Sequence, residues 1–484
     1  MLFEKLTYQL TQNSDKIAFV IDEQEFTYDD FTNKIIDIQQ LLLNNNFFGD
    51  QKVVVYTYNN IETYASILAI WLLGGTFIPI NPKHPKERNN LILDQIKPEF
   101  SLSSNREDFV LFTKTTFQDK DKNLIVNLRN DNSLMYILFT SGSTGTPKGV
   151  PIYYKNINAF IKDFSLEYNL SSEDKFLQIY DLTFDASIHC YLLPLFLGAS
   201  IYTVSPNKIK YLEAYKLIDK QKLTFAKFPP SVLSYLKPYF NKINLSSLKY
   251  SLLGGESLDL DLVKQWQNCV PNAQIYNVYG PTEATINTHI FKITKEVNIN
   301  KSYNGTISIG KPFGSNKAFV LDNDGNIITD HTKGELCLYG NQITDKYFNN
   351  QDKTYQSFIE FEGKTIYKTG DLVYKDKDND YIFCGRIDNQ VQIQGYRVEL
   401  SEIENIAKKH QKALNFSVIS VKNRLNVLEI VLFTEKLETE TIELLDFLKN
   451  KLPFYMVPSK IINLDKFPQT AGGKIDKQAL KKSI

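Results

Sequence analysis

Cysteine is scarce and scattered: Cys190, Cys269, Cys337 and Cys384 are the four in 484 residues, and they form neither a CxxC pair nor a dense framework. That spacing excludes a disulfide scaffold and a cysteine zinc site, and it fits a reducing cytoplasm. Net charge is also missing. The 55 basic and 55 acidic residues cancel, so no strong field points to nucleic acid or an anionic membrane, and a small-molecule ligand is the better expectation. No long hydrophobic run is present either. The most apolar stretch, Tyr64 to Ile80, is shorter than the roughly 20 residues of a membrane span and is interrupted by Gly74, Gly75 and Pro79. It reads as a buried helix, a tight turn and a buried strand. Glu4 and Lys5 stand where a signal peptide needs its apolar core. The histidines, at 84, 189, 289, 331 and 410, suggest no triad or metal cluster, and repeats and low-complexity tracts are lacking.

What is present is the composition of a folded chain, 43% hydrophobic and 23% charged, at a length that calls for more than one core. From about residue 50 to 280, β-rich runs such as "KVVVYTY", "LMYILFT" and "LTFAKF" alternate with helical patterns such as "IETYASILAIWLL" and "IKYLEAYKLIDKQ". This alternation predicts an α/β fold with mostly parallel sheets. From about 305 to 385, "KAFVLDNDGNIITD" and "YKTGDLVYKDKDNDYIFCG" read as hairpins of a small antiparallel β unit. After "GRIDNQ" the pattern becomes a compact α+β module, including a helix from Ser401 with Glu404 placed as a capping box. The expected division is therefore residues 1–387, two α/β subdomains plus the antiparallel unit, and a small domain over 388–484.

The run "FTSGSTGTPKG" follows an apolar strand ending at Phe139, which would deliver it to a carboxyl-terminal sheet edge where open α/β sheets place ligands. It is not a Walker A loop, because Pro147 stands where the second glycine belongs. It also continues as a strand, "KGVPIYYK", whereas the phosphate-binding loops of both Walker and dinucleotide type lead into a helix. Glycines that turn backbone N–H groups outward, hydroxyl donors and Lys148 suit an anion held from a hairpin. On composition alone, a solvated Gly/Ser loop is an equal reading.

"YILFTSGSTGTPKGV", then "YNVYGPTEATI", "YKTGDLV", "GRIDNQVQIQGYRVEL" and "GGKIDKQAL" form an ordered motif set that resembles the adenylate-forming superfamily of acyl-CoA synthetases, luciferases and peptide-synthetase adenylation domains. The resemblance covers nearly the whole chain. It implies activation of a carboxylate with ATP and Mg²⁺, followed by acyl transfer to a thiol. It implies that Thr140, Ser141, Gly142, Ser143, Thr144, Gly145 and Lys148 hold phosphates, with Thr144 assisting catalysis. Gly255, Asn277, Val278, Tyr279, Gly280 and Thr282 would border the nucleotide, Tyr279 stacking on adenine. Glu283 would help place Mg²⁺, Asp371 would accept both ribose hydroxyls, and Arg386 and Phe383 would support the nucleotide. Lys474 would be the main electrostatic catalyst, and Asp388 the hinge of the small domain. On local sequence, Lys474 is one more lysine in a lysine-rich tail. The family commonly has basic residues where this chain has Gln392 and Gln394.

In amino-acid-activating members an aspartate of an "FDxS" segment meets the substrate ammonium, and "LTFDAS" supplies Asp185. Its local alternative is an N-cap. The resemblance extends the pocket to Ala186, His189, Lys227, Leu252, Gly254, Val278, Ile286 and Asn287, and a lysine at the Lys227 position resembles domains taking aspartate or asparagine. A one-residue slip would turn Lys227 to solvent, and His189 is equally a packed helix residue. The expected activity is amino-acid adenylation and transfer to a separate phosphopantetheine carrier protein; the sequence stops shortly after "KIDKQAL", as a free-standing enzyme or a piece cut from a longer protein would. The alternatives are a D-alanine to D-alanyl carrier protein ligase, an acyl-CoA synthetase and an inactive scaffolding homologue; Gly254, where that D-alanine ligase family usually has cysteine, stands against the first.

Overall fold

The structure is a computed structural model that describes residues 2–105, 111–112, 123–127, 130–142, 145–297, 299–328, 331–410, 412–470 and 474–484. Its elements make an α/β protein of two compact units. The first comprises Met1–Asn81, Ile96–Leu138 and Gly149–Ile387; the second comprises Pro82–Gln95, Phe139–Lys148 and Asp388–Ile484.

Three sheets organise the first unit. The largest has nine strands, and its centre is a parallel run in the spatial order Gln274–Tyr279, Tyr250–Gly254, Phe225–Phe228, Lys175–Gln178, Ser200–Thr203 and Ile17–Ile21. These strands are short and apolar on both faces because helices cover them, which is the pattern parallel sheets require. The hairpin of Ile17–Ile21 with Gln24–Thr27 closes one edge, Phe19 lying opposite Ile201. A second sheet carries Lys52–Tyr56, Thr76–Ile80 and Leu134–Thr140, and the apolar stretch at 64–80 is indeed a buried helix, Ile61–Leu72, followed by a fully buried strand. The third is antiparallel, built around Lys317–Leu321, Gly334–Tyr339, Lys364–Lys375 and Tyr381–Arg386. The helix Asp185–Leu197 is apolar almost all round and is buried from Ser187 to Phe196, as such a helix must be.

In the second unit, Asn415–Lys422 and Leu428–Glu435 pair antiparallel, and Lys460–Leu464 adds a parallel strand. The hairpin Gln390–Ile393 with Tyr396–Glu399 turns through Gln394 and Gly395, with φ of 51° and 84°. Two successive left-handed residues are what a tight type I′ turn needs. The capping box expected at Ser401 is not formed. The helix runs Leu400–Lys408 with Glu399 at its N-cap and no side-chain cap, while Glu404 accepts from the Val418 N–H at 2.8 Å and from Lys477 Nζ at 2.9 Å. A carboxylate offered both a strand N–H and an ammonium is better satisfied there than at a helix start.

Candidate active site

The parallel strands of the nine-stranded sheet bring separate stretches of sequence side by side at their carboxyl ends, where ligands bind in open α/β sheets. Register places Lys227 opposite Leu252 and Gly254 opposite Val278. Gly254 has no substitute: a Cβ there would lie 2.4 Å from the Val278 carbonyl oxygen and 2.7 Å from Val278 Cγ2. The two strands approach that closely only with hydrogen at this position.

Asp185 opens the helix Asp185–Leu197, but Phe184 is the N-cap, so the capping alternative fails. Instead the carboxylate receives the Thr282 hydroxyl and the Ala186 N–H, while its Oδ2 is shielded from solvent and has no hydrogen-bond partner. Desolvation pushes its pKa up from 3.8 to about 6, against the opposing pull of Lys227, Thr282 and Ala186. Lys227 does not turn to solvent; it is 2% exposed. Burial brings its ammonium down from 10.5 to about 8, with Cys190 and Asp185 acting the other way. Its Nζ donates to the Asn287 amide oxygen at 3.1 Å when that amide is oriented to satisfy both its ends, its nitrogen then donating to the Ile286 carbonyl at 2.9 Å.

His189 is wedged edge-on among Phe160, Phe164 and Phe225, ring centroids 4.4 to 5.7 Å away, and neither ring nitrogen has a partner. Burial and the nearby Lys227 charge hold it neutral. Tyr136, absent from the sequence reading, adds a buried hydroxyl without a partner beside the Asp185 charge. A carboxylate, an ammonium and several unsatisfied polar atoms thus lie among aromatic side chains. Of the expected apolar pocket positions, Leu252, Val278 and Ile286 are buried and Ala186 is half-buried.

Thr285 and Ile286 are β-branched residues in the left-handed region, with φ of 55° and 74°. Each such residue costs about 1–3 kcal/mol, so the surroundings must impose the conformation. Gly280 packs beneath them, within 2.6 Å of the Ile286 carbonyl for any Cβ. Just before them, Glu283 is fully buried and its Oε1 accepts from the Tyr347 hydroxyl at 2.6 Å.

A second cluster lies on the strands Lys364–Lys375 and Tyr381–Arg386, where Asp371 faces Arg386 in register. Arg386 Nη1 contacts Asp371 Oδ1 at 2.6 Å, and the Tyr279 hydroxyl donates to Asp371 Oδ2. Tyr279 thus spends its hydroxyl on the carboxylate expected to take the ribose, and its ring meets His289 edge-on at 5.6 Å. Asn277 donates to the Ser308 carbonyl at 2.8 Å, and Phe383 packs on the core beside Val373. Gly255 follows the strand Tyr250–Gly254 with φ of 83°.

Within the second unit, the glycine-rich run begins at the end of its strand. Thr140 Oγ1 is buried without a partner, Ser141 donates to the Arg397 carbonyl at 2.9 Å, and the Gly145 N–H closes a turn on the Gly142 carbonyl at 2.9 Å. A Cβ on Gly142 would lie 2.1 Å from the Thr146 carbonyl oxygen. Lys148 is buried, and Ser143 and Thr144 lie outside the described residues. Glu402 accepts the Gly142 N–H and pairs with Arg88 at 2.6 Å, a buried contact that no sequence motif announced. Lys474 is exposed, its carbonyl accepting from the Thr470 N–H at 2.8 Å just before the helix Lys477–Lys482. Asp388 Oδ1 accepts from the Gln390 N–H at 3.1 Å.

Residues 6–348 match the AMP-binding enzyme family. The chain belongs to that family. It is accordingly an ATP-dependent, AMP-forming ligase. Zwittermicin A synthase ZmaJ of Bacillus cereus is 30% identical over 99% of this chain and 94% of its own length. Gramicidin S synthase 1 of Brevibacillus brevis is 28% identical over 99% of this chain but 44% of its own length, so the chain spans under half of that synthase. Among solved structures, the Vibrio cholerae adenylation domain AlmE in complex with glycyl-adenosine-5'-phosphate shares the fold, with a TM-score of 0.88 at 24% identity over 100% of this chain and 97% of AlmE. PA1221, a protein containing adenylation and PCP domains, gives 0.86 at 22% identity over 100% of this chain and 84% of its own.

Among the described residues no helix is long and apolar enough to cross a membrane. No cluster of three or more His, Cys, Asp or Glu among them is arranged to hold a metal. A site of that kind is not what Mg²⁺ needs, because Mg²⁺ keeps several waters and is commonly held by one or two carboxylates together with substrate phosphates.

Proposed function

We propose that this chain activates an amino acid with a polar side chain, aspartate or asparagine, as its aminoacyl adenylate, and then passes the aminoacyl group to the phosphopantetheine thiol of a separate carrier protein. The observation that carries the reading is the Asp185–Lys227 pair: a shielded carboxylate with an unsatisfied oxygen and a buried ammonium, near enough to act on each other electrostatically. A buried charge is costly unless a partner meets it. The α-ammonium of an amino acid supplies that partner for Asp185 Oδ2, and a side-chain carboxylate or amide oxygen supplies it for Lys227.

In this scheme the substrate carboxylate oxygen attacks the α-phosphorus of ATP, the bond to the β-phosphate oxygen breaks, and pyrophosphate leaves. Two anions must be brought together, so positive charge and aligned donors supply most of the catalysis. Lys148 and the N–H groups and hydroxyls from Thr140 to Gly145 serve the phosphates, Asp371 the ribose, and Lys474 the carboxylate and α-phosphate. Glu283, held by Tyr347, would help to hold Mg²⁺, which would neutralise phosphate charge. In the second half-reaction the carrier thiol attacks the acyl carbonyl and AMP departs. Residues 388–484 act as the small domain, with Asp388 as the pivot. The relatives named above, Gramicidin S synthase 1 among them, support the amino-acid class, as does a structural neighbour containing adenylation and PCP domains.

Amino-acid-dependent exchange of labelled pyrophosphate into ATP tests the proposal, with the twenty common amino acids and D-alanine. Aspartate or asparagine should lead. No exchange with any of them by folded protein would overturn the amino-acid reading, and strongest exchange with D-alanine would transfer it to the D-alanyl carrier protein ligase class.

A further inference from the structure

The left-handed turn at Thr285 and Ile286 needs something to hold it, and the side chain that reaches it comes from far along the chain. Gln342 follows the strand Gly334–Tyr339 and is fully buried. Its Nε2 donates to the Asn287 carbonyl at 2.8 Å and to the Thr285 carbonyl at 3.2 Å, with the Ala284 carbonyl at 3.5 Å. A primary amide has two N–H groups, and here they bridge the carbonyls on either side of Ile286. The grip is mutual, because the Thr285 hydroxyl donates back to the Gln342 carbonyl at 2.5 Å. Asn316 fixes the far end of the amide, its Nδ2 donating to Gln342 Oε1 at 2.6 Å and to the Phe313 carbonyl at 3.0 Å.

We propose that Gln342 is a positioning residue for substrate selection: it clamps the strained turn so that Asn287 meets Lys227 in the amino-acid pocket. The inference rests on the pocket reading above. Without the clamp, the Asn287 carbonyl loses this donor and the Thr285 carbonyl keeps the Asn287 N–H at 2.9 Å, a single bond across Ile286, and the turn relaxes toward the ordinary backbone regions. Asn287 then moves, and Lys227 loses its neutral partner. The nucleotide-side groups Asp371 and Arg386 are held by other contacts and are unaffected.

Gln342→Met keeps the volume and removes the hydrogen bonds. With the wild type's best amino acid, its KM for that amino acid should rise about tenfold, the scale of one lost buried hydrogen bond, while KM for ATP stays within about twofold. Combined with Asn287→Ala, it should add little further, because both changes break one link. Equal rises in both KM values, or fully additive effects in the double variant, would overturn the role. If Gln342→Met does not fold, Thr285→Val removes the reciprocal bond and is judged by the same split. If the wild type exchanges with no amino acid, it is the pocket reading that fails; the clamp is then judged by a crystal structure of Gln342→Met, in which retained positive φ at both Thr285 and Ile286 would refute it.

Discussion

Lowering the pH from 7 to 5 should weaken amino-acid binding without a matching loss of ATP binding. The reason is Asp185. Its carboxyl titrates near 6 because its surroundings desolvate it. It is therefore about 90% ionised at pH 7 and about 10% ionised at pH 5, and only the ionised form pairs with the substrate ammonium. The apparent KM for the amino acid should rise about tenfold over that range, approaching tenfold per pH unit below 6. Asp185→Asn should abolish this pH dependence and raise KM at every pH. The same shift sets a sign on stability. A folded-state pKa of about 6 against 3.8 unfolded means that, between those values, the native protein binds the proton and the unfolded chain does not. The ligand-free protein should therefore gain stability as pH falls from 6 toward 4. The gain from this group is at most about 3 kcal/mol, and less in practice because Lys227 then loses a neighbouring negative charge. The assay is pyrophosphate exchange at saturating ATP across pH 5 to 8, with thermal unfolding of the ligand-free protein alongside. An amino-acid KM flat from pH 5 to 7, or an Asn variant that binds the amino acid as well as wild type, would refute the ammonium role.

Two further outcomes follow from single side chains. Lys474→Ala should abolish adenylation while leaving ATP binding, measured by calorimetry, within about threefold, since one exposed lysine contributes to the transition state more than to the ground state; full exchange activity in that variant would refute its catalytic role. Gly254→Ala should lower stability by about 2 kcal/mol or more and impair amino-acid use, because its Cβ would meet backbone oxygen at 2.4 Å; unchanged melting and kinetics would show that the strands part without cost.

The α/β layering, the antiparallel insertion and the order of the motifs were legible in the sequence, because hydrophobic periodicity and turn chemistry are local properties. The strands around Lys227, Leu252 and Tyr276 were legible for this reason, as was the buried helix and strand at 64–80. Local reasoning left Asp185 with two readings, an N-cap and a counter-ion, and Lys227 with two directions, inward and outward. Folding excludes the cap, which Phe184 takes, and buries Lys227 opposite Leu252 in parallel register, because which residue opens a helix and which way a strand side chain faces depend on distant elements. It also overruled the capping box at Ser401, since Glu404 finds an N–H and an ammonium on other elements. The edge hairpin at 17–27 escaped the sequence reading because its place beside Ile201 depends on pairing across most of the domain. Gln342 escaped it too, for it acts on carbonyls 55 to 58 residues away. A glutamine's partners are carbonyls, which every residue owns, so only folding decides which of them it holds.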